Sequence, residues 1–145
     1  MKKNKELITW SGKMTCGLSL IDDQHRKLVD LINDLFNHVT GNEAQERKYF
    51  DRVKSETLKY IKIHFATEER IMLVTKFEGY TKHKNEHEVF ILALLDYVHD
   101  YEVGGRLPLS AVLKFLKDWM VTHIVTEDKL FFEYLNKLAG RKTFY

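Results

Sequence analysis

Apolar residues recur at three- and four-residue steps along four long segments, the spacing that lays one buried stripe on a helix. The first segment, about 19–39, aligns Leu18, Ile21, His25, Leu28, Ile32, Leu35 and Val39. The second, about 43–75, aligns Phe50, Val53, Thr57, Ile61, His64, Glu68 and Ile71. The third, about 81–101, aligns His83, His87, Phe90, Leu94 and Val98. The fourth, about 108–139, aligns Val112, Leu116, Trp119, His123, Leu130 and Tyr134, beside a second stripe of Leu113, Met120, Ile124 and Leu135. Ser19 to Asp22 reads as a capping box, Pro108 suits a first helical position, and Gly41, Gly104, Gly105 and Gly140 fall where helices would stop. No strand pattern or repeat interrupts them. Short connections between long helices favour antiparallel neighbours. The pattern predicts one all-α domain over residues 1–145. It is an up-down-up-down antiparallel four-helix bundle, with residues 1–17, including Trp10, as an N-terminal arm lying across it.

The stripes contain residues that do not belong in a plain core. His25, His64, His83, His87 and His123 fall on core-facing positions, with Glu68 and, on the second stripe, Asp128. His25 lies near the start of the first helix, His64 and Glu68 near the end of the second. His83 and His87 open the third, and His123 sits in the second half of the fourth. Antiparallel packing brings all of them towards one end of the bundle. His38 is thirteen residues beyond His25, about 20 Å along a helix axis. His99 is similarly far from His87, and both read as surface histidines.

Composition narrows the classes. The 145 residues include 44% apolar and 30% charged residues, which suits one soluble domain with a real core. A net charge of +2, with lysine and arginine spread along helix faces, gives no case for nucleic acid. No stretch is long and apolar enough for a membrane span, and no apolar segment follows the basic N-terminus as in a signal peptide. Cys16 is the single cysteine, so no internal disulfide forms. It reads as a small buried hydrophobe, and the chain as cytoplasmic.

Burying one imidazole needs a hydrogen-bond partner, and burying five at one level needs something that binds them all. His64 and Glu68 are four residues apart, as are His83 and His87, so each pair shares a helix face. Imidazole and carboxylate suit zinc, iron, copper or nickel, and the absence of thiolates argues against structural zinc. Seven ligands are too many for one ion. With two ions bridged by both carboxylates, five imidazole bonds and four carboxylate bonds make nine, and a shared oxo or hydroxo group adds two. Two octahedral ions offer twelve positions, so one stays open. This describes a small-ligand site if the metals are octahedral iron. His83-Lys-Asn-Glu86-His87 also spells the inverted zinc-peptidase motif. That reading leaves His25, His64 and His123 unexplained, and Glu86 reads better as a solvated residue. A ferritin-like site needs Glu-x-x-His on two helices, and none occurs.

Four pieces carry a resemblance to a known family: Ile21-Asp-Asp-Gln-His25, His64-Phe-Ala-Thr-Glu68-Glu69, His83-Lys-Asn-Glu-His87 and Trp119-Met-Val-Thr-His123-Ile-Val-Thr-Glu-Asp128. With Trp10 and Gly17, the chain resembles the hemerythrins in their single-domain bacterial form, over nearly its whole length. The resemblance implies a non-haem, oxo- or hydroxo-bridged pair of iron ions that binds O2 reversibly for carriage or storage, without enzyme activity. Carried over residue by residue, His83, His87 and His123 would hold one iron, His25 and His64 the other, and Glu68 and Asp128 would bridge them. Leu28, Phe65, Phe90, Trp119 and Ile124 would line the O2 pocket. O2 is the one partner implied. A sensor acting through a partner protein, or a di-iron redox enzyme such as a peroxidase or nitric-oxide scavenger, is the alternative. One assignment runs against plain helix geometry. Glu127 is four residues from His123 and shares its face, whereas Asp128 is five away, about 140° round at 100° per residue. The family motif chooses Asp128.

Overall fold

The computed structural model describes residues 5–104 and 107–140, and among these every regular element is helical. The helices are α1 (Ser19–Asn37), α2 (Glu43–Val74), α3 (Tyr80–Glu102), α4 (Leu109–His123) and α5 (Lys129–Leu138). A π-helical turn, Ile124–Asp128, joins α4 to α5 without a break, so these form one fourth rod. α1 packs on α2 and on α4, α2 on α3, and α3 on α4, which closes the ring of a four-helix bundle.

The ends are set by local chemistry, and two differ from the sequence reading. Ser19 makes no capping hydrogen bond; Leu18 is the flanking residue, and the Asp22 carboxylate accepts from the Cys16 and Gly17 N–H groups. Pro108 flanks α4 rather than opening it. At α2, the Asn42 side chain accepts from Gln45 N–H, and one Glu46 oxygen accepts from both Thr40 and Gly41 N–H. Gly41 takes φ of 83°, which a Cβ would strain, so the α1–α2 turn closes within a few residues. Before α1, a short 3-10 turn (Gly12–Met14) follows a segment that runs back along α1 rather than across the bundle. Asn33 accepts from the N–H groups of Leu7 and Ile8, and Asn37 from that of Lys5.

Two apolar clusters fill the interior. The larger includes Leu28, Ile32, Ile61, Phe65, Phe90, Leu94, Leu116, Met120 and Ile124. The smaller includes Cys16, Ile21, Met72, Phe131 and Phe132. Along each rod, the core-facing histidines and acids lie between the two. On α1, for example, His25 falls between Ile21 and Leu28; on the fourth rod, Asp128 falls between Ile124 and Phe131. The polar residues thus form a layer sealed on both sides, close to one end of the bundle. His38 and His99 are exposed and away from it, as the spacing predicts; His38 stacks on Tyr49 at 3.4 Å between centroids.

Candidate metal centre

All five histidines and both acids converge in the polar layer. His25, Glu68 and Asp128 are fully buried, and His64, His83, His87 and His123 expose 5% or less. Their ligand atoms form two overlapping groups. Glu68, His83, His87, His123 and Asp128 make one; His25, His64, Glu68 and Asp128 make the other. Within each group, all atoms lie within 4.8 Å. Both carboxylates belong to both groups. Asp128 divides its oxygens: Oδ1 is 2.8 Å from His83 Nε2 and 3.1 Å from His123 Nε2, while Oδ2 is 3.4 Å from His25 Nε2. Glu68 Oε1 is 3.3 Å from His64 Nε2 and 3.5 Å from His87 Nε2, with Oε2 3.8 Å from His25 Nε2.

These contacts are close without being hydrogen bonds. Neither nitrogen of His25 and none of the four oxygens of Glu68 and Asp128 has a hydrogen-bond partner, although all are buried. Orphaned buried groups are costly, and carboxylates most of all. Lone pairs aimed at shared points, rather than at one another, are the arrangement a metal resolves. The spacing agrees: His123 Nε2 is 3.0 Å from His83 Nε2 and 3.2 Å from His87 Nε2. For ligand bonds of about 2.1 Å, right-angled neighbours are about 3.0 Å apart and tetrahedral neighbours about 3.4 Å. The cluster can therefore hold metal: one edge of its three-histidine face matches right-angled ligands, and the other lies midway to the tetrahedral spacing.

The π turn explains how Asp128 reaches this site. In an α-helix, the residue four beyond His123 shares its face; a π turn bonds i to i+5 and accommodates one extra residue. Asp128 therefore comes round beneath His123 and is fully buried. Glu127 is turned outward, with a side chain 30% exposed and 3.7 Å from Lys82 Nζ. The same extra residue shifts every later position. Leu130, placed on the core stripe by an uninterrupted helix, is 55% exposed, and Phe131 and Phe132 are buried instead.

Residues 16–135 match the hemerythrin HHE cation binding domain. The chain belongs to the hemerythrin family. It is similar to bacteriohemerythrin of Methylococcus capsulatus, 28% identical over 127 residues that cover 86% of this chain and 94% of the relative. It is also similar to myohemerythrin of Sipunculus nudus, 31% identical over 130 residues, covering 89% of this chain and 92% of the relative. A crystal structure of wild-type hemerythrin superimposes with a TM-score of 0.75 at 28% identity, covering 89% of this chain and 98% of the other.

In this chain, a relay of polar residues runs from helix to helix, and sequence reasoning missed it. Gln24 on α1 accepts from Nδ1–H of His64 on α2 through Oε1, at 2.8 Å. Glu69 on α2 accepts from Nδ1–H of His87 on α3, also at 2.8 Å. Glu86 on α3 lies 3.7 Å from Nδ1 of His123 on the fourth rod, so it is half-buried beside an imidazole rather than simply solvated. Holding the proton on Nδ1 turns the Nε2 lone pair inward. The available signal was that each partner is the sequence neighbour of a cluster residue, one step round the helix from His25, Glu68 or His87.

Aromatic rings fix the remaining freedom. Phe65 stacks on His87 at 3.8 Å and Trp119 on His123 at 4.3 Å, with Phe90 stacked on Trp119 at 3.9 Å. Phe90 and Trp119 thus stand on the three-histidine side. Phe132, absent from the sequence-predicted lining, is 6.0 Å from His25. Leu28 and Ile124 are buried in the larger apolar cluster.

Burial governs the charges. It pushes His64 down to about 4 and His87 down to about 2, so both stay neutral with lone pairs available. Burial, with the neighbouring Asp128 charge, pushes Glu68 up to about 8. Burial also acts to raise Asp128, but the His123 charge and the close approach of the His123, His25 and His83 nitrogens outweigh it and hold Asp128 well below the usual carboxylate range.

Proposed function

We propose that this chain binds O2 reversibly, as a carrier or store, at a non-haem di-iron centre. His83, His87 and His123 would hold one iron, His25 and His64 the other, and Glu68 and Asp128 both. The observation that carries this reading is the pair of overlapping ligand groups, unequal in histidines and sharing both carboxylates. Three imidazoles against two leaves the open position on the His25–His64 side. When bound, the iron pair supplies reversible two-electron reduction of O2.

The chain's own residues do the rest. Gln24 and Glu69 orient His64 and His87 through their Nδ1 protons. Phe65 and Trp119 clamp the imidazole planes of His87 and His123. The apolar clusters on either side, with Leu28, Phe65, Phe90, Trp119 and Ile124 on one and Phe132 on the other, exclude water. A dry surround favours release of bound O2 over loss of reduced oxygen species to solvent.

The test is anaerobic reduction followed by air exposure, watched by visible absorption with metal analysis alongside. Two irons per chain and no haem are expected. The reduced protein should be colourless, gain charge-transfer bands in air, and lose them when O2 is removed. One zinc per chain without iron would overturn the reading. Net consumption of O2 with no oxygenated form would mean turnover rather than carriage.

A further inference from the structure

A deep apolar pocket, open to solvent at one side, lies on the far side of the aromatic layer from the candidate metal centre. It is a cavity of about 220 Å³ whose buried floor takes residues from all four rods, among them Leu35, Ile61, Leu94, Val112 and Leu116. Its mouth opens between α2 and α3, where Ser55 and Leu95 are exposed and the Lys54–Glu102 ion pair stands at the edge. None of the seven cluster residues lines it.

Pockets between the helices of a bundle are preferred places for small ligands to bind. Water is a poor occupant, because an ordered water needs two to four polar partners. Of the polar groups lining the cavity, Thr57 is the buried one, and its hydroxyl already donates to Val53 C=O. A charged occupant fits no better. Lys54 is engaged by Glu102 and Asp51, and the floor offers no counter-charge. What remains is a neutral apolar molecule. An engineered apolar cavity of about 150 Å³ takes up benzene, so about 220 Å³ admits a single ring with a small substituent.

We propose that this cavity is a binding site for a small neutral apolar molecule of single-ring size, entered between α2 and α3 past the Lys54–Glu102 pair. Its ceiling adjoins the rings that stack on the histidines. Ile61 is one turn before Phe65 on α2, Leu94 one turn after Phe90 on α3, and Leu116 three residues before Trp119 on α4.

The test uses iron-loaded protein and benzene, with uptake measured by headspace partition. Saturable uptake of one benzene per chain is expected. Val98→Phe, which fills the mouth from a half-buried position, should weaken uptake at least tenfold. Leu95→Trp, at an exposed position on the same rim, should do the same. Iron content and visible spectrum should match the parent in both. Circular dichroism identifies a variant that fails to fold, and the other then decides. No saturable uptake by the parent overturns the proposal. So does equal uptake by a folded plugged variant, which would place the ring elsewhere. Entry of xenon, read by its NMR shift, without entry of benzene overturns the single-ring assignment.

Discussion

Replacing Asp128 by alanine tests the π turn and the ligand set together. Asp128 is fully buried, and its two oxygens divide between the two groups of donors. In the proposed centre it supplies one bond to each ion. Structural metal sites with four protein ligands contribute roughly 10–16 kcal/mol, or about 3 kcal/mol per bond. Each ion then loses about 3 kcal/mol, roughly 10²-fold in affinity at 1.4 kcal/mol per decade. Glu127→Ala is the matched control. Glu127 is 30% exposed and its contact is a surface ion pair with Lys82, worth roughly 0–1 kcal/mol. The assay is iron per chain after reconstitution and challenge with a graded series of chelators. Asp128→Ala should give up iron to chelators about two decades weaker than the parent requires, while Glu127→Ala tracks the parent. If Glu127→Ala loses iron and Asp128→Ala keeps it, the π turn does not set the ligand and α-helical spacing does.

The same geometry predicts that deleting exposed Thr126 returns the turn to α-helical pairing. The aspartate should then stand four residues from His123, still inward, so iron should be retained and the far-UV helical signal should not fall. Glu69→Ala removes the acceptor from His87 Nδ1 and should weaken iron binding by about 10- to 100-fold, measured by the same chelator series. Removing iron should lower the melting temperature by at least about 10 °C, since a ligand bound at about 1,000 times its Kd stabilises by about 4 kcal/mol; equal melting temperatures would mean the histidines are satisfied by protein alone. Iron-depleted protein should be most stable near pH 6.5. Below that, the unfolded chain takes up protons that His64 and His87 refuse when folded, so stability rises with pH; above it, folded Glu68 keeps a proton up to about 8 that the unfolded chain has lost, so stability falls. Thermal melts from pH 5 to pH 8 check this, and a monotonic trend would contradict it.

The stripes were legible because each residue type reports its own face. Ile21, His25, Leu28, Ile32 and Leu35 keep helical phase from end to end, and all are buried. The histidines and Glu68 were legible for the same reason: a polar residue in phase with an apolar stripe must be inward. The fourth rod shows where phase reasoning stops. Ile124-Val-Thr-Glu-Asp128 does not announce an extra residue in the turn, since its β-branched run lowers helix propensity without specifying a π turn. The insertion is decided by tertiary demand, because Asp128 must reach His83 and His25 on other helices. A fixed period carried past His123 therefore put Leu130 inside, when Phe131 and Phe132 are. Gln24, Glu69 and Glu86 were illegible for a different reason. Each lies beside the stripe on its own helix, where polar residues ordinarily meet water, and finds its imidazole on the next helix. Such pairs depend on how rods are rotated against one another, which single-helix periodicity does not contain.

The layer arrangement joins these observations. A buried layer of imidazoles and acids whose carboxyl oxygens lack hydrogen-bond partners is unstable as a core, yet it sits between two well-packed apolar clusters that hold the rods in register. The clusters carry the fold, so the polar layer is free to be selected for binding rather than for stability. The relay from Gln24, Glu69 and Glu86 then ties each helix to the next at the level of the site, so that rotating one rod would unseat an imidazole on its neighbour. On this reasoning the relay residues act on geometry more than on folding. Gln24→Ala should leave the iron-free melting temperature within about 2 °C of the parent, as for a partly exposed hydrogen bond worth about 0.5–1.5 kcal/mol. It should nevertheless weaken retention of iron on the His25–His64 side by about tenfold or more. Chelator titration watched by visible absorption would show one iron leaving ahead of the other. Simultaneous loss of both, with a matching fall in iron-free stability, would mean that Gln24 supports the bundle rather than the ligand.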